Sequence, residues 1–180
     1  MMSTNNCFLS GLIQYKNTLD WNTYYDEIYQ VFVNDFLIKE LTYNGKKVQI
    51  KKYPFIEKKE QSFFHITTID DKNGDVRIPD FRRCERIKWV REFIENYFCN
   101  KECHNCLGIH NWIQPFKNRF RTYIWNKSKK FLVVLEERSN YYLLITAFYI
   151  NEKNTKKIYE LEKNYNMYKK TEKSSLIFKN

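Results

Sequence analysis

The residue best suited to proton transfer at neutral pH is His65, one of three histidines in this sequence of 180 residues. Histidine titrates near neutrality, so it can remove and return a proton. RNA carries its own nucleophile, the 2′-hydroxyl, and its cleavage needs a base, an acid and cations around the phosphorus rather than a metal. Segment 63–69 is aromatic and β-branched, which predicts a strand with His65 and Thr67 on one face. A histidine that only completes a hydrogen bond at a strand end would give the same pattern.

A run of cations follows His65 along the chain. Five lysines and arginines fall within residues 82–91, among them Arg82, Arg83 and Arg86. On a helix, Arg83 and Arg86 would lie three residues apart on one side and could hold a phosphate through bidentate hydrogen bonds. The alternative is an ordinary solvated helix face.

Cations and aromatic rings also alternate in a third segment, residues 119–125. Arg119, Arg121 and Tyr123 would share one face of a strand, which suits contact with phosphate and stacking on bases. A polar outer face of a sheet explains the alternation equally well.

In the apolar segment 141–149, Thr146 is a polar interruption that could direct a hydroxyl into a cleft or bond to the main chain.

Three closely spaced cysteines, Cys99, Cys103 and Cys106, suggest a metal site. With His110 as the fourth ligand, or His104 in its place, they would resemble a structural zinc site. The alternative is a set of free thiols. The sequence lacks a glycine-rich phosphate loop, the HExxH motif and the Gly-x-Ser-x-Gly motif.

Composition limits the class of protein. The chain carries 31 lysines and arginines against 21 acidic residues, a formal net charge of +10 that favours a polyanionic partner, although a lysine-rich surface alone would produce it. Apolar residues make up 43% of the sequence, which is enough for a packed core. The length fits one domain, 1–180, with its core at about 20–168 and a cysteine-rich loop at 99–108. We expect a cytoplasmic protein with no membrane partner, because residues 1–14 do not resemble a signal peptide and no apolar run reaches the roughly 20 residues of a membrane span.

The hydrophobic pattern predicts an α+β fold, in which an N-terminal helical part packs on an antiparallel β-sheet that a C-terminal helix closes. Asn44-Gly45 is typical of a hairpin turn. The predicted helices are 19–40, 82–97 and 151–168, and the predicted strands of the sheet include 119–125, 130–137 and 141–150.

Three segments together suggest a family. Phe64–Thr67, Arg83–Trp89 and Phe131–Phe148 occur in an order and spacing that resemble phage-linked and mobile-element proteins of the barnase, EndoU, colicin and RelE-like ribonuclease superfamily. The resemblance implies a metal-independent ribonuclease with a curved sheet, a toxin-like or phage-associated role, and a cognate inhibitor protein as a further partner. Phe148 stands where the family often has a tyrosine, and Tyr149 follows it.

The resemblance also implies roles for individual residues. His65 would be the acid or base, Arg83 and Arg86 would hold the phosphate, and Thr146 would position the substrate. Independently of the resemblance, we expect Arg121 to add positive charge at the phosphorus. Further RNA contacts are expected from a set of flanking cations and rings: Arg82, Arg119, Tyr123 and Tyr149.

These observations lead to one main hypothesis. The sequence predicts an endoribonuclease that leaves a 2′,3′-cyclic phosphate, needs no cofactor for catalysis and contains at most a structural zinc ion. Two alternatives remain. One is a nucleic-acid-binding protein without catalytic activity, stabilised by zinc, and the other is an interaction protein whose basic surface meets an acidic protein.

Overall fold

A computed structural model of the protein describes residues 7–16, 20–71, 73–74, 76–99 and 103–177. The helices are α1 (Trp21–Val33), α2 (Gln61–Thr67), α3 (Phe81–Cys84), α4 (Ile87–Glu95) and α5 (Thr155–Ile177). The strands are β1 (Thr42–Tyr43), β2 (Lys46–Gln49), β3 (Thr68–Asp70), β4 (Arg77–Pro79), β5 (His110–Phe116), β6 (Arg119–Asn126), β7 (Phe131–Glu137) and β8 (Tyr141–Tyr149).

Six strands form one curled sheet in the order β1-β2-β8-β7-β6-β5, and β3 and β4 form a separate two-stranded sheet. The hairpin predicted at Asn44-Gly45 joins β1 to β2, and both turn residues have the positive φ that this turn requires. Strands β5 to β8 are antiparallel neighbours, whereas β2 pairs with β8 in parallel. The predicted α+β class with a curved sheet and a closing C-terminal helix is confirmed.

The alternating side chains of the sheet contribute to two hydrophobic cores. On the first face, Phe131, Val133 and Leu135 pack with α1, α2 and α4. On the opposite face, Trp112 and Trp125 pack with Leu161 and other apolar residues of α5. Because successive residues of a strand point to opposite faces, one sheet serves both cores.

Helix α1 begins where the side chain of Asp20 accepts hydrogen bonds from the first turn, at 2.9 Å from the Asn22 nitrogen. Its buried stripe includes Tyr25, Ile28 and Phe32, as the helical spacing predicts. The predicted helix extended to residue 40, but the α-helix ends at Val33 and continues as one π-helical turn, 34–38.

The predicted strand over residues 63–69 is wrong, because most of this segment is helix α2. The buried residues Phe63, Ile66 and Thr67 follow helical spacing. The Thr67 hydroxyl donates to the Phe63 carbonyl at 2.7 Å, and the Thr68 hydroxyl donates to the Phe64 carbonyl at 2.5 Å. Burial of the apolar side offsets the weak helix propensity of the β-branched residues.

The predicted helix over residues 82–97 is broken into α3 and α4. Asp80 caps α3 by accepting from the Arg83 nitrogen at 3.1 Å. At the break, the Glu85 carbonyl accepts a hydrogen bond from the Ile13 nitrogen at 2.9 Å. Arg86 lies at the junction with φ −105° and ψ 15°, outside the helical region. Arg83 and Arg86 therefore do not share one side of a continuous helix.

The closing helix α5 is longer than predicted, since it begins at Thr155 and ends at Ile177. Ile158, Leu161 and Tyr165 of α5 all pack in the second core. A search of the described residues finds no helix that combines the length and the apolar character needed to cross a membrane.

Candidate functional site: a histidine and arginine site and a four-cysteine cluster

Helix α2 places His65 at the solvent-exposed side of the molecule, next to the edge of the main sheet. One turn earlier on the same helix, Gln61 shares this side with His65. Both residues line a cavity of about 190 Å³ whose remaining lining is Lys51, Ser62 and Leu143–Ile145 of β8. We call this the His65 cavity. It is accessible, although it is small compared with the 300 Å³ or so of typical ligand pockets.

Two guanidinium groups lie beside His65. Arg83 donates from Nη1 to the His65 carbonyl oxygen at 3.1 Å, and its guanidinium lies 5.2 Å from the ring centre of Phe148. Arg77 donates from Nε to the Thr68 hydroxyl at 2.8 Å and from Nη2 to the Thr68 carbonyl at 2.7 Å, and its Nη1 pairs with the Asp70 carboxylate at 2.8 Å. Arg83 is therefore held at the main chain of His65, and Arg77 lies nearby, but neither arginine is among the residues that line the His65 cavity.

These surroundings change the acidity of His65. Partial burial, followed by the positive charges of Arg77 and Arg83, lowers the pKa of His65 below its ordinary value of 6.5. The imidazole is therefore mostly neutral at pH 7. A neutral imidazole beside cations can accept a proton while those cations stabilise negative charge formed nearby.

Arg82 and Arg86 contact a different ring from the one that Arg83 contacts. Their guanidinium carbons lie 5.2 and 4.5 Å from the ring centre of Tyr149. Arg86 also pairs with the Glu85 carboxylate and packs on a tryptophan ring, and its side chain is only 12% exposed. Arg86 thus has partners within the protein, whereas Arg82 is exposed.

Strand β8 carries the two other predicted residues of this region, Thr146 and Tyr149. Both are half-buried. β8 pairs with β7 along its length but with β2 only through residues 141–143, and it also contacts α2 and α3. Thr146 follows Ile145, which lines the His65 cavity, and pairs with Val134 of β7. Thr146 itself is not among the residues that line the His65 cavity.

Arg119 and Arg121 lie two strands away, where they surround a carboxylate. Arg121 Nε is 3.1 Å and Arg119 Nη1 is 3.4 Å from oxygens of Glu136, and Arg138 Nη2 is 2.6 Å from the same carboxylate. Glu136 is only 7% exposed. We call these residues the Glu136 cluster: Arg119, Arg121, Glu136 and Arg138. Their main role in this arrangement is to satisfy a buried charge.

The Glu136 cluster and the His65 cavity are linked by the register of the sheet. Arg121 pairs with Glu136, and Glu136 pairs with Leu143, which lines the cavity. Two strand spacings separate the main chains of Arg121 and Leu143 by about 10 Å.

Tyr123 stacks on Trp112 at 5.1 Å and is half-buried, so its ring is largely occupied within the second core.

The second site is a cluster of four buried thiols: Cys7, Cys99, Cys103 and Cys106. Their sulfur atoms all lie within 4.8 Å of one another. The Cys7 and Cys103 sulfurs are 3.3 Å apart, and the Cys99 and Cys106 sulfurs are 3.5 Å apart. A tetrahedral zinc ion with bonds of about 2.3 Å holds its sulfur ligands about 3.8 Å apart. The four thiols therefore have the number, chemistry and spacing that a metal such as zinc requires.

Hydrogen bonds favour negative charge on one sulfur of the cluster, that of Cys103. Burial opposes ionisation of Cys103, but hydrogen bonds from the main chain of Cys106 and from the thiol and main chain of Cys7 lower its pKa to about 6. Burial raises the pKa of Cys99 to about 12 and raises that of Cys7 further. The Gly108 nitrogen also donates to the Cys106 sulfur at 3.4 Å. One thiolate among protonated thiols is a suitable starting point for binding a cation.

The fourth member of the cluster is Cys7, whereas the sequence predicted His110 as the fourth ligand. His110 begins β5 and stacks on Tyr165 of α5, with ring centres 4.2 Å apart. His104 is exposed in the turn between Cys103 and Cys106 and is not part of the cluster.

Cys7 reaches the cluster because the segment 7–16 packs across α4. The Trp89 indole donates to the Ser10 carbonyl at 2.8 Å, and the Ser10 nitrogen donates to Glu92 at 3.0 Å. The Asn105 side chain donates to the Cys7 carbonyl at 2.6 Å, which joins this segment to the cysteine turn.

Sequence reasoning missed Cys7 and Arg77. Cys7 precedes Cys99 by 92 positions, and the only signal was that three clustered thiols needed a fourth. Arg77 follows a turn and pairs across a short hairpin with Asp70. Recognising 68–70 and 77–79 as that hairpin would have placed Arg77 next to the residues that follow His65.

Comparisons of this chain with protein-family models, with curated proteins and with solved structures find no significant match.

Proposed function

We propose that this protein is an endoribonuclease whose general base is His65. The observation that supports it most directly is an exposed histidine whose main-chain carbonyl accepts a hydrogen bond from the Arg83 guanidinium at 3.1 Å; burial and nearby positive charge also lower the pKa of its imidazole. This is the combination that cleavage by an RNA 2′-hydroxyl needs, namely a neutral base and fixed positive charge in one place.

In the proposed reaction, His65 removes the proton of the 2′-hydroxyl. The resulting oxygen attacks the adjacent phosphorus, the bond from phosphorus to the 5′ oxygen breaks, and that oxygen takes a proton from solvent. The products are a 2′,3′-cyclic phosphate and a 5′-hydroxyl end. In this proposal Arg83 stabilises the charge on the phosphorane, and Thr146 positions the substrate.

The test is incubation of the protein with labelled RNA, followed by analysis of the product ends. Substitution His65→Ala should reduce the rate at least about 100-fold, the usual scale for loss of a general base. The matched control is His104→Ala, which removes another exposed histidine and should leave the rate unchanged.

Two results would contradict the proposal. Cleavage by His65→Ala at the normal rate would remove His65 from the mechanism. Salt-sensitive RNA binding by the unmodified protein without any cyclic phosphate would identify a binding protein that does not cleave RNA.

We further propose that Cys7, Cys99, Cys103 and Cys106 bind one structural zinc ion. The fit rests on four sulfur ligands at tetrahedral spacing and on their complete burial, which leaves no open position for a substrate. In this role the ion would join the segment 7–16 to the cysteine turn and would take no part in the chemistry at His65.

Elemental analysis of the purified protein tests this second proposal. We expect about one zinc per chain, a large loss of both zinc and thermal stability in Cys7→Ser, and retention of zinc in the matched control Cys84→Ser. Cys84 is also buried, but its sulfur donates to the Thr67 carbonyl at 3.6 Å, away from the cluster. Equal zinc content in both variants would contradict the assignment of Cys7.

A further inference from the structure

An aromatic loop, residues 51–60, projects beside the His65 cavity. Its rings are exposed, since Tyr53 retains 67% and Phe55 retains 47% of its accessible surface. The two rings lie edge to face with centres 4.8 Å apart. Large aromatic rings exposed side by side are unusual on a surface unless they bind something.

Both ends of the aromatic loop are attached to the first turn of α2. The Gln61 nitrogen donates to the Lys52 carbonyl at 3.0 Å, and the Ser62 nitrogen donates to the Lys51 carbonyl at 2.9 Å. In return, the Lys51 nitrogen donates to the Ser62 hydroxyl at 2.8 Å. Since Lys51, Gln61 and Ser62 also line the His65 cavity, the loop begins and ends at that cavity.

The loop is also held against α1. Lys59 pairs with Asp26 at 3.0 Å and lies 5.1 Å from the ring centre of Tyr29. The Tyr29 hydroxyl donates to Glu60 at 3.0 Å. Near the tip of the loop, the main chains of Ile56 and Lys59 bond to each other. These contacts fix the loop before any ligand binds, which reduces the entropy lost on binding.

Positive charge accompanies the rings. Lys51, Lys52 and Lys58 are all exposed in the same loop. Aromatic rings combined with cations are the pattern by which proteins bind single-stranded nucleic acid, because the rings stack on bases and the cations contact phosphates. An apolar protein partner would make little use of the three lysines.

We propose that Tyr53 and Phe55 stack on unpaired bases of single-stranded RNA next to the phosphate at His65. This inference rests on the proposed ribonuclease function and names its substrate as single-stranded. In a duplex the faces of the bases are already stacked on each other, so these rings could not reach them.

The test measures binding of a labelled single-stranded RNA of about 12 nucleotides, a length in the usual range for such sites, by fluorescence anisotropy. The chain carries His65→Ala throughout, so that the RNA stays intact. The additional double change Tyr53→Ala with Phe55→Ala should raise the Kd at least about tenfold. A duplex of the same sequence should show less than about a threefold change.

Two control variants accompany the measurement. Tyr159→Ala removes a tyrosine of α5 that is 68% exposed and should leave the Kd unchanged. The exchange Tyr53→Phe with Phe55→Tyr keeps both rings and should keep the Kd within about twofold of the parent value.

The outcomes separate this inference from the proposed function. Unchanged affinity in the double alanine variant, or an equal loss for single strand and duplex, would overturn the stacking role while leaving a His65-dependent ribonuclease intact. If the unmodified chain neither binds nor cleaves RNA, both proposals are wrong.

Discussion

Arginines lie both next to helix α2 at His65 and in the Glu136 cluster, yet their guanidinium groups are held in different ways. In the Glu136 cluster, three arginines surround one carboxylate that is almost completely buried. Beside His65, Arg83 is held by a main-chain carbonyl and the face of a phenylalanine ring. The first arrangement neutralises charge within the protein, and the second leaves positive charge available to a ligand.

This comparison shows why counting cations is a poor guide to a binding site. Segment 119–125 looked as suitable for phosphate contact as segment 82–91 in the sequence. The decisive residue, Glu136, is on another strand and meets Arg121 only through the register of β6 and β7. A buried carboxylate must be paired with positive charge. The adjacent arginines therefore stay paired with Glu136 and are not available to a phosphate.

The largest expected effect concerns the arginines themselves. Arg83→Ala should reduce RNA cleavage about 100-fold, because it removes fixed positive charge next to the reacting phosphate. Arg121→Ala should reduce it less than about tenfold, since this guanidinium already has a carboxylate partner. Initial rates at low substrate concentration give the comparison. Equal losses in the two variants would erase the distinction between the two regions.

A smaller effect is expected when the carboxylate of the cluster is removed. Glu136→Gln should lower the free energy of unfolding by about 2–3 kcal/mol, because three guanidinium groups lose a buried charged acceptor. The same change should strengthen RNA binding and steepen its salt dependence, since those cations become available. Urea unfolding and binding at two salt concentrations measure both.

The matched control is the next residue, in the variant Glu137→Gln. Glu137 pairs with Lys46 at 2.9 Å, and both side chains are more than one-third exposed. Such a pair contributes less than about 1 kcal/mol. Equal stability of Glu136→Gln and Glu137→Gln would show that Glu136 does not neutralise the arginines of the Glu136 cluster.

The smallest effect is the pH dependence that His65 introduces. Its pKa in the folded protein is lowered below the 6.5 of an ordinary histidine. At a pH between these two pKa values, His65 binds a proton more readily in the unfolded chain than in the folded protein. The folded state therefore loses stability as the pH falls below about 6.5. His65→Gln should remove that loss, which unfolding measurements over this pH range can detect.

The rate of cleavage should follow the same titration. Since the base must be neutral, the acidic limb of the pH–rate profile should have its midpoint below 6.5. A midpoint above 6.5 would contradict the lowering of the His65 pKa by burial and nearby positive charge.

Much of the fold could be predicted because it follows from local patterns. The strands β6, β7 and β8, the turn at Asn44-Gly45 and the inward residues of α5 all match the periods of apolar residues in the sequence. Helix α2 could not be found from propensity, because its aromatic and β-branched residues favour strands. Its helical conformation depends on burying Phe63, Ile66 and Thr67 against other elements.

By itself, the sequence determined the α+β class and the net charge. It also identified His65 and Arg83 as candidate site residues, and three of the four clustered cysteines as candidate metal ligands. The tertiary structure alone decided that Cys7 completes the cluster, that Arg77 lies beside His65 and that Glu136 neutralises Arg119 and Arg121. The physical reason is that hydrophobic periodicity involves residues close together in the sequence. Metal coordination and charge neutralisation instead depend on distances of a few ångströms between groups that folding brings together.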